Sequence, residues 1–168
     1  MTGIFRQIRS GETGQAYRII CDVTAWLLSK NIRQWTAPLA REVFDSRQSK
    51  GENYGLFVGG KPVVFLSLLF GPALHWKEEI GAEPRWWLCT LATAVKQKGQ
   101  GLGEEAVRQA CQYLGTKEVN ELYLDCVKGN GFLPEYYTRL GFVAISEKII
   151  DFPKCGRTEM VLMKCALL

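Results

Sequence analysis

Gly99, Gly101 and Gly103 occupy alternate positions in Lys96-Gln97-Lys98-Gly99-Gln100-Gly101-Leu102-Gly103. Such a run lets backbone N–H groups close on a ligand with no Cβ in the way. A helix starting at its end adds a positive partial charge, so the chemistry it suits is the holding of a pyrophosphate. A turn that only redirects the chain uses glycines in the same way, and the loop alone leaves both open. The phosphate loop of nucleotide hydrolases needs Lys then Ser or Thr after its last glycine. Glu104 and Glu105 follow Gly103 here, which excludes it. A dinucleotide fingerprint does match Gly101, Gly103 and Ala106, with Asp125 about twenty residues further on. Only about forty residues remain after Asp125, too few to complete a doubly wound sheet.

Other chemistry-bearing residues carry less specific signals. Glu79, Glu83 and Asp125 are carboxylates able to take a proton through water, but such residues are more often solvated surface charges, and no base is named among them. Cys126 has no neighbouring His and sits in an apolar alternation, the setting of an inert core thiol. The single histidine, His75, and six cysteines without a CxxC pair predict reduced core thiols and no metal site.

These groups need a scaffold, and 168 residues, 47% hydrophobic and 23% charged, are those of one domain with a packed core. The net charge of +4 is spread along the chain, which argues against nucleic acid as partner and admits a small anion. The amino-terminal residues lack a secretory pattern and no apolar stretch approaches membrane-spanning length, so the expectation is a cytoplasmic protein without membrane contact.

Residues 4–9 predict a first strand. Tyr17, Ile20, Cys21, Thr24, Ala25 and Leu28 form one stripe of a helix ending near Asn31, and a second helix is predicted over 38–47, with Leu39, Val43 and Phe44 inward. Residues 54–58 and 61–70 read as a hairpin turned by Gly59-Gly60. Residues 71–84 form a long connection, and 86–95 a strand buried on both faces that runs into the glycine loop. A helix follows, with Ala106, Val107, Ala110, Tyr113 and Leu114 inward and Gly115 as its C′ residue. A strand over 121–127, a short helix over 133–140 and strands over 142–150 and 158–165 complete the chain.

The whole chain resembles the GNAT superfamily of N-acetyltransferases. That family's acetyl-CoA loop, Arg/Gln-x-x-Gly-x-Gly/Ala after the fourth strand, corresponds to Lys98-Gly99-Gln100-Gly101-Leu102-Gly103. Lys98 keeps the charge but not the planar donor fork, and Glu104 places a carboxylate where the family often has a small polar residue. A second motif, Asn followed by Tyr-x-x-x-Gly-Phe, corresponds to Asn130, Tyr137, Gly141 and Phe142. The order of elements also resembles that fold. It implies a single α/β domain over residues 1–168 with a mostly antiparallel seven-stranded sheet, flanked by four helices and splayed at the parallel fourth and fifth strands.

The resemblance further implies that the chain is an acetyl-CoA-dependent N-acetyltransferase acting by direct attack of a primary amine. The cosubstrate would be held by Leu91, Ala92 and Thr93 on the fourth strand and by Lys98, Gly99, Gln100, Gly101, Leu102, Gly103 and Glu104. Asn130 either bonds the pantetheine or caps the short helix. A phenol titrates at about 10 and a thiol at about 8.5, so Tyr137 is expected to give a proton to the departing thiolate. Tyr136, beside it, has an equal claim on sequence. The acceptor is a small-molecule or peptide amine, met by the first-helix region and neighbouring loops with Trp26, Trp35, Trp76, Glu78, Glu79, Trp86 and Trp87. A homodimer is compatible with the resemblance. The competing expectation is a non-catalytic acyl-CoA-binding or regulatory module, because no general base stands out in 86–95.

Overall fold

The computed structural model describes residues 3–129 and 131–167. In chain order the elements are β1 (Ile4–Gln7), α1 (Thr13–Ser29), α2 (Arg41–Ser49), β2 (Asn53–Val58), β3 (Lys61–Gly71), α3 (Lys77–Ile80), β4 (Arg85–Thr93), α4 (Leu102–Gly115), β5 (Glu121–Val127), α5 (Phe132–Arg139), β6 (Val143–Phe152) and β7 (Gly156–Ala166). The seven strands form one mixed sheet in the order β1-β2-β3-β4-β5-β7-β6. β1 with β2, β2 with β3, β5 with β7 and β6 with β7 are antiparallel. β4 and β5 are parallel, in register at Trp86↔Leu122 and Trp87↔Tyr123 near their amino-terminal ends. The expected sheet and four helices are present, and α3 adds a single turn inside the connection read as a loop.

The chain divides into two compact units. One comprises Met1–Leu68 and Cys89–Ala110, the other Leu69–Leu88 and Cys111–Leu168. In the first, α1 buries Ala16, Ile19, Ile20, Val23, Thr24 and Leu27. The predicted stripe shares only Ile20 and Thr24 with this set, and Leu28 is 48% exposed. Nearly every residue from 16 to 28 is apolar or small, so two interleaved stripes satisfy the helical period and packing selects between them. α2 begins at Arg41, because Ala40 has extended ψ of 139° and its carbonyl accepts the Val43 and Phe44 N–H groups. Pro38 and Leu39 therefore lie outside it, Val43 is 41% exposed, and Phe44 alone is buried from this helix. The Phe44 ring meets Tyr17 at 5.2 Å and Phe65 at 5.6 Å. Burying it contributes roughly 2–3 kcal/mol.

Gly59 and Gly60, at φ 57° and 77°, make the tight turn between β2 and β3 that the Gly-Gly pair predicts. β4 is not buried on both faces. Trp87, Leu88 and Ala92 are buried, whereas Cys89, Thr90 and Leu91 are only half-buried, and Thr90 has φ 54°. A positive φ inside a strand breaks the alternation of side chains that the apolar run suggested.

In the second unit Leu122, Leu124, Leu162, Met163 and Phe142 are buried. Trp76, just before α3, is 1% exposed and donates through its indole N–H to Asp125 Oδ2 at 2.9 Å. α4 does not stop with Gly115 as its C′ residue. Its last turn continues to Glu118, which carries φ 59° and donates to the Gly115 carbonyl, while the Val119 N–H reaches the Leu114 carbonyl. Of the six cysteines only Cys126 is buried. Cys21, Cys89, Cys111 and Cys165 are half-buried, Cys155 is exposed, and all six are thiols.

Candidate active site

The glycine loop lies between β4 and α4, and residues 96–103 belong to the first unit. Gly99 and Gly101 have φ of 78° and 72°, which side chains rarely adopt, and an added Cβ at either would meet nothing within 4 Å. The glycines are required by conformation and leave open space above the loop. Lys98, at φ −63° and ψ 147°, and Gly99 are the central residues of a type II turn that closes on Gln100. The 14-residue helix α4 starts directly at Leu102 and adds its amino-terminal donors and dipole. Glycines at positive φ ahead of a helix amino terminus could hold a diphosphate such as that of the expected acetyl-CoA.

The two departures from the family loop have defined surroundings. Lys98 places its ammonium 3.6 Å from the centre of the Trp26 ring, on α1, and burial pushes its pKa below the ordinary lysine value. Its charge is thus engaged by an aromatic face, and Trp26 serves the loop. Glu104 sits 3.8 Å from Arg108 one turn along α4, which offsets its charge near the cradle. Glu105 turns away and accepts the Gly3 N–H at 2.9 Å.

Leu91, Ala92 and Thr93 close β4. Ala92 is 2% exposed, Leu91 and Thr93 are half-buried, and the Ala94 N–H donates to the Val63 carbonyl at 2.8 Å. Immediately before them Thr90 accepts from Arg47, a residue that sequence reasoning missed together with Asn53 and Ser67. The signal was present: Asn53 and Ser67 are polar residues in otherwise apolar strands, and buried polar groups must find partners.

Tyr137 lies in the second unit. It is 9% exposed, with Tyr136 at 5.2 Å and Phe142 at 5.7 Å, both edge-on, whereas Tyr136 is half-buried. Its place follows from how α5 ends. Gly141 at φ 93° donates to the Thr138 carbonyl, and the Phe142 N–H donates to the Tyr137 carbonyl at 3.1 Å. Only glycine takes that backbone without strain, and the Phe142 ring packs on the tyrosine four positions before the glycine. Asn130 lies outside the described residues.

Other candidates are committed elsewhere. Asp125 holds the Trp76 indole, and Glu79 pairs with Lys148 at 2.8 Å. Trp87 donates to the Gly71 carbonyl, and His75 meets Phe152 edge-on at 5.3 Å. Trp76 and Trp87 are buried, so of the five tryptophans these two belong to the core. Burial pushes the Cys126 thiol up to about 12, which removes it as a nucleophile at neutral pH. Among the described residues no group of three or more His, Cys, Asp or Glu side chains is placed to hold a metal ion.

The sequence matches the Acetyltransferase (GNAT) family over residues 20–142, which spans both the glycine loop and the Tyr-x-x-x-Gly-Phe segment. The chain belongs to this family. GNAT acetyltransferases use acetyl-CoA as acyl donor, and that is the cosubstrate of this chain. No curated protein matches by sequence. Among solved structures, an acetyltransferase of the GNAT family from Streptococcus agalactiae superposes with a TM-score of 0.80 at 11% identity, over 98% of this chain and 95% of that one. The ribosomal-protein-alanine N-acetyltransferase from Brucella melitensis gives 0.71 at 15% identity, over 98% and 99%. The NatC complex bound to Gag peptide and CoA gives 0.71 at 12% identity, over 100% of both chains. At these identities the likeness is one of fold. No helix among the described residues is long and apolar enough to cross a membrane.

Proposed function

We propose that this GNAT chain is an N-acetyltransferase that moves the acetyl group of acetyl-CoA to a primary amine by direct attack. The observation that carries the proposal is the loop at Gly99 and Gly101, held at positive φ with open space where a Cβ would stand, directly ahead of α4. The bound cosubstrate supplies an activated acyl thioester. Gly99, Gln100, Gly101, Leu102 and Gly103 hold its diphosphate through backbone N–H groups, and Lys98 stiffens the loop from the Trp26 face rather than gripping phosphate. Leu91, Ala92 and Thr93 take the pantetheine arm on backbone polar groups at the end of β4. Asn130 either bonds that arm or caps α5.

Tyr137 is the proposed general acid, donating its phenol proton to the thiolate that leaves as the amine adds, while the proton shed by the amine nitrogen passes to water and restores the phenol. The C-terminal turn of α5 and the Phe142 ring hold the Tyr137 ring in place. The acceptor is a small-molecule or peptide amine, consistent with relatives whose names specify protein alanine or whose complex holds a peptide. The same proposal treats residues 1–168 as one catalytic domain of a cytoplasmic enzyme, alone or as a homodimer.

The test is calorimetric titration with acetyl-CoA, followed by acetyl transfer to a panel of polyamines, aminoglycosides, amino acids and peptides. Micromolar binding together with transfer to a panel amine is the expected result. Tyr137→Phe should lower turnover by about 100-fold and leave acetyl-CoA affinity within about twofold. Unchanged turnover would remove Tyr137 from this role. Binding without transfer to any amine would favour an acyl-CoA-binding or regulatory module.

A further inference from the structure

Thr90 stands inside β4 at φ 54°. A β-branched residue in that region crowds its own backbone, a conformation that persists only where neighbours over-determine it. Here the neighbours are a line of polar groups, all in the first unit. Arg47, in the last turn of α2, donates through Nη1 to Thr90 Oγ1 at 3.0 Å and to Ser67 Oγ at 3.3 Å. Ser67, fully buried, donates to Asn53 Oδ1 at 3.1 Å. Asn53, 1% exposed, donates through Nδ2 to the Phe44 carbonyl at 3.1 Å and to Gln48 Oε1 at 3.2 Å.

Both of those acceptors belong to α2, so the line starts and ends on the helix that carries Arg47. The helix end is fixed as well. Gly51, at φ 69°, donates to the Gln48 carbonyl, and the Glu52 N–H donates to the carbonyl of Arg47 itself at 2.9 Å. Arg47 is therefore held at its backbone by the cap and at its guanidinium by two hydroxyls, one of them buried. A guanidinium suits this task because its fork presents several N–H groups in a fixed plane, which an ammonium does not.

We propose that Arg47 is a positioning residue for the acyl donor: it holds Thr90 in the left-handed conformation that sets the direction of the Leu91, Ala92 and Thr93 backbone toward the pantetheine arm. This rests on the donor site proposed above. The clamp acts on the strand segment and not on the glycine loop, so it separates the two halves of the cosubstrate.

The experiment compares calorimetric affinities for acetyl-CoA and for adenosine 3′-phosphate 5′-diphosphate, which keeps the phosphates and lacks pantetheine. Arg47→Met should weaken acetyl-CoA about tenfold, the worth of a hydrogen bond to a charged group, and leave the fragment within about twofold. Thr90→Val, which removes only the hydroxyl, should give the same pattern. In a Thr90→Gly background the left-handed conformation is free of strain, and there Arg47→Met should change acetyl-CoA affinity by less than about twofold.

An unchanged acetyl-CoA affinity in Arg47→Met, an equal loss for both ligands, or a full tenfold loss in the Thr90→Gly background would each overturn the clamp. Failure of the unaltered protein to bind acetyl-CoA would overturn the donor site and the clamp with it. Failure at the variants alone would leave the donor site standing.

Discussion

Single side chains in this molecule are set apart by what surrounds them more than by their type, and the cysteines show it. Burial raises the thiol of Cys126 to about 12, and that of Cys111 likewise to about 12, with Cys165 beside it adding to the shift. Cys155 lies in the exposed turn between β6 and β7. Reactivity follows thiolate content, which is negligible at neutral pH for a group titrating so high. Brief treatment of the native protein with iodoacetamide at neutral pH, followed by peptide mass mapping, should find Cys155 carbamidomethylated and Cys111 and Cys126 unmodified. Early labelling of Cys126 would contradict the burial of β5. The tyrosine pair is sorted on the same principle. Sequence leaves Tyr136 and Tyr137 equivalent, and the structure distinguishes them because Tyr137 falls at the position of the helix end that packs against Phe142.

At the scale of elements, four helices end in one way. A residue at positive φ follows the cap, and its N–H and the next return to the last turn: Asn31 after α1, Gly51 after α2, Glu118 after α4 and Gly141 after α5. Gly51 and Gly141 are the residues this backbone prefers, and Asn31 tolerates it. Glu118 is a poor occupant, because a Cβ in the left-handed region costs about 1 kcal/mol. Its side chain is exposed, so Glu118→Gly removes the strain without opening a cavity. The variant should be more stable by roughly 0.5–1 kcal/mol in urea unfolding. A loss of stability would mean that the carboxylate makes a contribution larger than the strain. The same caps explain which element boundaries were legible. β5, bounded by the polar Asn120 and Lys128, is found at its predicted limits. The start of α2 was displaced by three residues, since Pro38 is acceptable in a first turn and nothing local says that Leu39 spends its carbonyl on the Tyr17 hydroxyl instead. α3 is one turn long and has no period to detect.

Across the whole molecule, the seven-stranded sheet followed from the resemblance to the family. The succession of strands along the chain, the β2–β3 hairpin and the glycine loop were legible directly, because each rests on short-range patterns: apolar runs, a Gly-Gly turn, alternate glycines. The Arg47, Asn53, Ser67 and Thr90 line was not, since it joins residues from α2, β2, β3 and β4 and depends on a backbone angle that Thr gives no hint of. Ion pairs share that opacity, and they set the response to acid. Glu12 is held well below its ordinary 4.5, to about 2, chiefly by hydrogen bonding to Arg6, whose Nη1 and Nη2 reach its two oxygens at 2.8 and 2.7 Å. Glu79 and Glu121 are also lowered, chiefly by their hydrogen bonds to Lys148 and Lys164. A carboxylate with a depressed pKa binds fewer protons in the folded chain than in the unfolded one, so its contribution is complete above about 4.5 and disappears as pH falls toward 2. All three act in the same direction, and stability should decline between about pH 5 and pH 2. Glu12→Gln isolates one of them. Both partners are partly exposed, and the substitution should cost no more than about 1 kcal/mol at pH 7. Urea unfolding of the two proteins should give curves that separate at pH 7 and draw together as pH falls toward about 2, where the unaltered glutamate is half protonated. A separation that stayed constant down to pH 2 would show that Glu12 acts through packing and not through its charge on Arg6.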